Sequence, residues 1–302
     1  MDGVEFNPRD RAYAGGEAVL YRGTHENQDV LLRDLCPMFD CPRVSREELD
    51  SRARREVIIQ WQADHKNLLR VKGVHMDGDT PLIVLPHHEG GKVMDVLKKK
   101  GNPQLLLSIL QGAISGVKHL HHQQPSMIHG DLHPENLVLD KDGNVVIIDF
   151  GLARIRHEQS RTHTTPRYGG IARYLAPELH TNPRPSPDRP PPNRPTECSD
   201  VYALAMTFFA LAFLEQPFSG LRFDPDPTSP PCRGRRPEKP SKARLLNNAQ
   251  IDSLWSLLEK MWSHRPEDRP DIADVEIELN TVVAPYFQRE TFALDCVVHP
   301  DK

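Results

Sequence analysis

The sequence predicts an α+β fold in which a small strand-rich region precedes a larger helical region. Short runs at 17–24, 29–35 and 80–85 have the length and the flanking turn residues of strands. After residue 91, apolar residues recur at the i, i+3 and i+4 spacing of amphipathic helices. The pattern changes near Leu85–Gly91, and we expect the two parts of the fold to meet there.

The composition is that of an ordinary globular protein with enough chain for a sizeable core. The chain has 302 residues, of which 38% are hydrophobic and 26% charged, and its formal charge is −4. This charge gives no basic field for nucleic acid or anionic lipid. The longest apolar run, Val201–Leu214, has 14 residues, whereas a membrane span needs about 20. We therefore expect no nucleic-acid partner and no membrane partner.

The N-terminus and the cysteines indicate an intracellular protein. Met1–Glu5 has neither the basic nor the apolar region of a secretory signal. The five cysteines are an odd number without C-x-x-C spacing, which fits a reducing compartment better than a disulfide framework or a zinc site. We expect a cytoplasmic or nuclear location.

The first 90 residues are expected to form a sheet with one helix. The first two strands flank four polar residues at 25–28, which suits a hairpin. Ser45–Asp64 is expected to be a helix, because its first residue can cap the N-terminus and Glu48 stands at the capping-box spacing. The third strand is closed by Pro86.

Helices are predicted along the second part of the chain. Pro103 opens a long segment with apolar residues on one face. The run Val201–Leu214 is apolar on most faces and predicts a buried helix. Asn247–His264 is a further predicted helix, with an apolar face formed by Leu254, Leu257, Leu258 and Met261.

The 28 prolines are more than an average composition would give, and they are concentrated in two stretches. Seven lie in Thr181–Pro195 and seven in Pro217–Pro240. Because proline fixes φ and lacks an N–H, neither stretch is expected to be a helix or a central strand. Both are expected to be extended surface loops and the places where protein partners bind.

The strongest chemical signal is the run H-G-D-L-H-P-E-N at 129–136, followed by D-F-G at 149–151. Two strand-like runs with a polar turn separate the motifs, so that Asp131, Asn136 and Asp149 are expected to face one cleft. Two carboxylates and an amide suit phosphoryl transfer: one carboxylate orients the attacking hydroxyl, while the other and the amide hold Mg²⁺ on the phosphates. Each residue alone would more often belong to an ordinary turn.

These motifs resemble those of the eukaryotic protein kinase family, and the resemblance extends from about Arg11 to Asn280. R-Y-L-A-P-E at Arg173–Glu178 is similar to the end of that family's activation segment. Asp200–Tyr202 is similar to the start of its buried central helix, and Met261–Pro270 is similar to its late helical signature. The resemblance is most specific in the second half of the chain.

The resemblance implies a bilobal protein kinase-like fold with the nucleotide bound between the lobes. The implied β-rich N-lobe covers about 11–86 and the implied helical C-lobe about 89–284, with a C-terminal tail at 285–302. It also implies a buried ion pair between Glu178 and Arg269, which would cost about 3–5 kcal/mol if one partner were lost.

The implied activity is transfer of the ATP γ-phosphate to a hydroxyl of a protein substrate, with ATP and Mg²⁺ as cofactors. Asp131 would orient the acceptor, and Asn136 and Asp149 would hold Mg²⁺. His133 stands beside them in the catalytic loop. The nucleotide-binding residues implied by the resemblance are Gly15, Gly16, Leu20, Leu31, Arg33, Glu56, Leu85, Pro86, His88 and Val138.

The N-lobe departs from the family pattern at the phosphate contacts. Of the family's glycine loop only Gly15 matches, with Gly16 beside it, so the loop is expected to cradle phosphates less well. Arg33 replaces the lysine that grips the phosphates, with Glu56 as its expected helical partner, and Leu31 replaces a small alanine over the adenine. The alternative is a structural ion pair between Arg33 and Glu56 that excludes nucleotide, which would make the chain a pseudokinase scaffold.

The catalytic loop departs as well. Gly130 replaces the arginine that reads activation-loop phosphate, and His133 replaces the lysine of Ser/Thr kinases. The run H-G-D-L-H-P-x-N is similar to the catalytic loop of aminoglycoside- and choline-type phosphotransferases, so a small-molecule kinase is a second alternative. Ala176–Glu178 and the late helices, which those families lack, favour a protein substrate. Ile171 replaces a threonine typical of Ser/Thr kinases, which weakens any prediction of the acceptor.

Overall fold

The computed structural model confirms the predicted α+β organisation, with a β-sheet N-terminal region followed by a helical C-terminal region. It describes residues 1–14, 19–34, 57, 61, 63–78, 80–149, 154–155, 170–180, 194–219 and 230–288. The predicted helix 45–64 lies largely outside these residues, although Val57 and Trp61 are described and helical.

The N-terminal region is a five-stranded antiparallel sheet with the strand order β1-β2-β3-β5-β4. The strands are β1 (Val4–Ala14), β2 (Val19–His25), β3 (Gln28–Asp34), β4 (Gly73–Asp77) and β5 (Thr80–Pro86). Pro86 is the last residue of β5, opposite Val30 of β3. The order places β3, which carries Arg33, at the centre of the sheet.

The predicted hairpin is confirmed, with a turn of two residues rather than four. His25 pairs with Gln28, which leaves Glu26 and Asn27 as the turn. Both have positive φ, at 52° and 59°, as a two-residue hairpin turn of this hand requires. The turn therefore fixes the register between β2 and β3.

The two faces of the sheet have different functions because side chains alternate along each strand. One face carries an apolar cluster made of Val30, Leu32, Leu82 and Val84, covered by Met1, Val4, Phe6 and Tyr21. The other face carries Leu31 and Arg33. Leu31 packs against the core that continues into the helical region, so this face is the one turned toward the C-lobe.

Six helices make up the described C-lobe. They are α1 (Val93–Lys100), α2 (Pro103–His121), α3 (Glu197–Phe213), α4 (Asn248–Met261), α5 (Ile272–Glu278) and α6 (Ala284–Gln288). A π-helical stretch, Leu279–Val283, joins the last two. Asn102 caps α2 and Asn247 caps α4, each by accepting a backbone N–H with its side chain.

The helix α3 is the centre of the C-lobe core. It begins at Glu197, four residues before the predicted start, because Thr196 and Ser199 form a capping box ahead of the apolar run. Tyr202 and Phe208 of this helix are fully buried. A helix buried on nearly all sides provides a fixed base for the loops that pack on it.

Short strands carry the loops of the site. In one sheet β6 (Gly91–Lys92) pairs with β8 (Leu137–Leu139), and β8 pairs with β9 (Val145–Ile147). In another, β7 (Met127–Ile128) pairs with β10 (Arg154–Ile155). The β8–β9 hairpin confirms the two strand-like runs predicted between the motifs. It brings the end of the first motif next to the start of the second.

The described part of the predicted loop 217–240 contains no α-helix and no strand, as expected, but it is less extended and more closely packed than the proline pattern suggests. Pro231–Arg233 is a 3₁₀ turn, and Pro231 and Pro237 are buried against the C-lobe. Proline has no N–H that burial would leave without an acceptor, so it can be packed in this way. Residues 181–193 of the other proline-rich stretch lie outside the described residues. Within the described ranges, no helix has both the length and the apolar character needed to cross a membrane.

Candidate active site

The first motif forms a loop between β7 and β8 that is fastened to α3. The carboxylate of Asp200 accepts the backbone N–H of His129 at 2.9 Å and of Gly130 at 2.8 Å. The same carboxylate lies 3.0 Å from Nε2 of His121 in α2. Gly130 has φ +78°, a conformation that glycine adopts without the cost of a Cβ. The backbone of this loop is therefore held in place by the side chain of Asp200 in α3.

His129 joins the catalytic loop to the second motif. Its Nε2–H donates to the carbonyl of Ile148 at 3.3 Å, and its Nδ1 accepts the N–H of Asp131 at 3.2 Å. Complete burial lowers the pKa of His129, although the carboxylates of Asp200, Asp131 and Asp149 act in the opposite direction. The ring is thus neutral near pH 7, with one nitrogen donating and the other accepting.

Asp131 has one carboxylate oxygen held and the other without a described donor. Its Oδ2 lies 3.4 Å from Nδ2 of Asn136 and 3.5 Å from Nε2 of His133. The Nδ2 of Asn136 also donates to the backbone carbonyl of Asp131 at 2.9 Å. The Oδ1 is buried, and no described residue donates to it. An oriented carboxylate with an unpaired acceptor is suited to receive a hydroxyl proton.

Asp149 contacts the sheet through Arg33. The Nη2 of Arg33 lies 3.1 Å from Oδ1 of Asp149, with the arginine side chain 9% exposed and the aspartate side chain 37% exposed. Asp149 has φ +63°, an uncommon conformation for an aspartate. The contact joins strand β3 to the second motif across the cleft. The predicted partner of Arg33, Glu56, lies outside the described residues.

The donor set fits Mg²⁺ when phosphates complete the coordination. Because Nδ2 of Asn136 faces Asp131, the amide oxygen of Asn136 points away from that contact. The carboxylate of Asp149 is part-exposed. Carboxylate and amide oxygens are hard ligands of the kind that Mg²⁺ takes, and Mg²⁺ usually binds few protein groups together with substrate phosphates. Among the described residues there is no cluster of three His, Cys, Asp or Glu able to hold a metal by itself.

The structure brings together several of the residues predicted to bind the nucleotide. Leu20 lies opposite Arg33 and Leu31 lies opposite Leu85 in the sheet, and directly opposite residues share a face. Val138 in β8 is buried in the core cluster that Leu31 and Leu85 also contact. Apolar residues from the sheet and from β8 therefore belong to one continuous core, and an apolar surface is what a bound adenine would require.

The remaining predicted nucleotide contacts are less fully described. Pro86 ends β5 and is half-buried. The Nε2 of His88 is buried with no described hydrogen-bond partner, and desolvation lowers the pKa of its ring. Gly15 and Gly16 lie outside the described residues.

Tyr174 was not singled out by the sequence reasoning. Its ring lies 6.0 Å from that of His133, and burial raises its pKa to about 12. Together with Leu175 and Ala203, it lines a small cavity beside Asp131. The motif R-Y-L-A-P-E contains this tyrosine, but nothing in the spacing of the motif shows that it folds back to the catalytic loop.

The predicted ion pair between Glu178 and Arg269 is confirmed. The two guanidinium nitrogens Nη1 and Nη2 of Arg269 donate to Oε1 and Oε2 of Glu178 at 2.7 and 2.8 Å. Nη1 also donates to the carbonyl of Cys198 at 2.9 Å. The arginine side chain is fully buried. The segment that ends at Glu178 is thereby tied to the start of α3 and to the late helices.

Comparison with known proteins agrees with this geometry. The protein kinase domain family matches residues 40–277. Serine/threonine-protein kinase STY17 of Arabidopsis thaliana is 30% identical over 286 residues, which cover 94% of this chain and 45% of that protein. Serine/threonine-protein kinase PrkC of Bacillus subtilis is 27% identical over 237 residues, with 78% and 34% covered.

Receptor-interacting serine/threonine-protein kinase 2 of Bos taurus is 27% identical over 259 residues, which cover 82% of this chain and 46% of that protein. The chain spans less than half the length of these curated relatives. The family match covers most of the chain, and the matched part contains the catalytic loop and the Glu178–Arg269 pair. The chain belongs to the eukaryotic protein kinase superfamily.

Proposed function

We propose that this protein is an Mg-ATP-dependent kinase that transfers the γ-phosphate to a serine or threonine hydroxyl of a protein. The observation that carries the proposal is Asp131, whose Oδ1 is buried with no described donor while Oδ2 is held near Asn136 and His133. A buried acceptor that is fixed in place but unpaired is costly to keep unless a ligand supplies the donor. The relatives named above are serine/threonine kinases.

In this proposal Asp131 accepts a hydrogen bond from the substrate hydroxyl and orients its oxygen toward the phosphorus. His133, 3.5 Å from the same carboxylate, keeps it in position and would donate to the transferred phosphoryl group. Asn136 and Asp149 hold Mg²⁺, which supplies charge neutralisation of the phosphates when bound. Arg33 contributes a further cation at the phosphates.

A second candidate is a pseudokinase that uses the fold as a scaffold. The observation that favours it is the contact of Arg33 with Asp149 at 3.1 Å, because the guanidinium neutralises the carboxylate that would hold Mg²⁺. The planar fork of arginine is larger than an ammonium group and binds carboxylates well. Transfer to a small molecule is less favoured, because the Glu178–Arg269 pair secures a segment suited to a protein substrate.

The setting of the activity is also a proposal. We place the protein inside the cell, in keeping with Cys198 and Cys232, which are free thiols. The proline-rich stretches 181–195 and 217–240 stay proposed partner-binding regions. Of these, 194–195, 217–219 and 230–240 are described, and the last of them contacts the C-lobe.

The test combines binding with transfer. We expect saturable binding of Mg-ATP by calorimetry and transfer of the γ-phosphate to a generic Ser/Thr peptide substrate. Asp131→Asn is expected to lower kcat by about 100-fold or more while nucleotide binding persists, because the acceptor orientation alone is lost. Asp142→Asn, on the exposed β8–β9 turn, is the matched control and is expected to leave kcat within about twofold.

Two outcomes would contradict the proposal. Absence of saturable binding at millimolar Mg-ATP would exclude the enzyme and favour the scaffold. Transfer that survives Asp131→Asn would remove the role given to Asp131, because the carboxylate is the group on which the acceptor geometry depends.

A further inference from the structure

The segment 233–244 is a basic stretch in a chain whose formal charge is −4. It carries six basic side chains and one acidic side chain, Glu238. Two of the basic side chains, Arg236 and Lys239, are engaged with the C-lobe. The other four are exposed and have no hydrogen-bond or ion-pair partner among the described side chains: Arg233, Arg235, Lys242 and Arg244.

The segment is fixed to the C-lobe. Nε of Arg236 donates to the carbonyl of Trp262 at 2.7 Å, and its guanidinium lies 5.3 Å from the ring centre of Tyr202. Nζ of Lys239 lies 2.6 Å from Oδ1 of Asp252. Because these contacts order the backbone before any partner arrives, the exposed cations can bind an anion at a lower entropic cost.

The segment lies next to Pro177, which follows the residues that line the cavity beside Asp131. The thiol of Cys232 donates to the carbonyl of Pro177 at 3.4 Å. Pro177 precedes Glu178, whose partner Arg269 contacts the same ring, Tyr202, that Arg236 contacts. The residues just before Pro177 line the cavity beside the catalytic carboxylate. A ligand on this basic stretch would thus lie on the same side of the C-lobe as the segment that borders the acceptor site.

We propose that the segment 233–244 is a docking surface for an acidic stretch of the protein substrate, separate from the hydroxyl that is phosphorylated. The proposal rests on the proposed function only in naming the partner a substrate. Charge complementarity selects the partner and fixes its register more than it adds affinity. The rest of the chain is net negative, so an acidic peptide is attracted here and repelled elsewhere.

An acidic peptide fits this surface better than a membrane or a nucleic acid. The large apolar side chains exposed in the described part of the chain all lie outside this segment, so nothing in it would insert into a bilayer. The free cations come in two pairs at i and i+2, Arg233 with Arg235 and Lys242 with Arg244. Pro237 and Pro240 keep the backbone between the pairs out of a helix. An extended acidic peptide can meet both pairs in turn.

Binding can be measured without catalysis. A fluorescein-labelled peptide of glutamates is titrated with the full chain, and with Asp131→Asn, by anisotropy at about 50 mM NaCl, where surface charges are weakly screened. The double variants Arg233→Glu/Arg235→Glu and Lys242→Glu/Arg244→Glu are each expected to weaken binding about tenfold, because attraction becomes repulsion. Lys98→Glu/Lys99→Glu on α1 changes the net charge equally and is expected to alter binding less than about twofold.

The outcomes separate docking from activity. Equal binding by the full chain and by Asp131→Asn supports docking whatever the transfer assay gives, and failed transfer alone contradicts only the proposed function. Absence of saturable peptide binding would overturn the docking surface, as would equal losses in the α1 control. Tighter, pair-dependent binding of duplex DNA or of phosphatidylserine vesicles would overturn the choice of an acidic peptide.

Discussion

The catalytic loop and strand β3 both contact the start of the second motif, the loop at Ile148 and the strand at Asp149, but they are held in different ways. The N–H groups of His129 and Gly130 both donate to Asp200 within 2.9 Å, and the buried imidazole of His129 donates to the carbonyl just before Asp149. Strand β3 reaches the site through one ionised side chain, Arg33, whose guanidinium contacts a part-exposed carboxylate.

The difference indicates which part of the candidate site keeps its geometry without a bound ligand. Buried hydrogen bonds between backbone and carboxylate hold their geometry whether or not a ligand is present, because breaking them leaves unpaired polar groups. In the other contact the arginine is buried but the carboxylate of Asp149 is part-exposed, so a metal ion or other cation from solvent can compete for the carboxylate. The acceptor side, which is the loop with Asp131, is therefore preorganised. In the proposed function the nucleotide side, which is Arg33 with Asp149, is set by competition between Arg33 and Mg²⁺ for the carboxylate. In the proposed function, whether the protein is active therefore depends on Arg33.

The largest effect is expected from Asp200→Ala, which breaks the base of the catalytic loop. The N–H groups of His129 and Gly130 and the ring of His121 would all lose their acceptor inside the core. We expect the free energy of unfolding in urea to fall by about 3–5 kcal/mol and transfer to be lost. The exposed control Asp142→Ala is expected to change it by less than about 0.5 kcal/mol. A loss below about 1 kcal/mol for Asp200→Ala would contradict the proposed rigidity of the loop.

Glu178→Ala tests whether the segment 173–178, which follows the acceptor site, is held as rigidly as the catalytic loop. Arg269 would remain fully buried without its carboxylate, while its bonds to backbone carbonyls persist. We expect a loss of about 3 kcal/mol in the free energy of unfolding. The double variant Glu178→Ala/Arg269→Met is expected to recover more than half of it, because no unpaired charge remains. Additive losses in the double variant would show that the pair is not a coupled unit.

The site could be predicted from the sequence where chemistry and spacing coincide. Asp131, Asn136 and Asp149 stand in fixed positions around a short hairpin, so local geometry brings them to one cleft. The contact of Arg33 with Asp149 could not be predicted, because the two lie 116 residues apart and meet only through packing of the two parts of the fold. Sequence spacing carries no information of that kind.

Gly130 shows a different limit. In the family pattern this position holds an arginine that binds the activation-loop phosphate, so the sequence alone shows Gly130 as the loss of that arginine. In the structure Gly130 has φ +78°, so glycine also relieves backbone strain at the point where Asp200 binds two successive N–H groups. A backbone dihedral angle cannot be read from a residue pattern. The sequence therefore shows only that Gly130 replaces an arginine, and the structure adds the second reason for a glycine at this position, its positive φ.

The pH dependence of stability tests the burial of His129 in the catalytic loop. The pKa of His129 is lowered by burial, so the unfolded chain binds its proton more readily than the folded protein. The resulting stability is present above the unfolded value near 6.5 and is lost as pH falls below it, by up to about 1.4 kcal/mol per pH unit. Because the pKa values of His65 and His88 are lowered as well, the measured quantity is the difference in slope between the native chain and His129→Gln. Equal slopes would mean that the pKa of His129 is not lowered in the folded protein.

Arg33→Lys tests the nucleotide side and has the smallest expected effect. Lysine keeps the charge but lacks the guanidinium whose Nη2 contacts Asp149, so we expect the carboxylate to be freer to take Mg²⁺. We expect the affinity for Mg-ATP to rise about fivefold in calorimetry, which corresponds to about 1 kcal/mol. The control Arg22→Lys, an exposed arginine paired with Asp10 on the same sheet, is expected to leave nucleotide affinity unchanged.

If Arg33→Lys lowered the affinity for Mg-ATP, the conclusion that the nucleotide side is less preorganised than the catalytic loop would be wrong. Such a fall would mean that the fork of Arg33 binds the phosphates and Asp149 together, as a bidentate group can and an ammonium group cannot. The nucleotide side would then be as preorganised as the catalytic loop, and the replacement of the family lysine would be a specialised ligand. A rise in affinity instead leaves Asp149 as the point where arginine and metal compete, and places the limit on activity there.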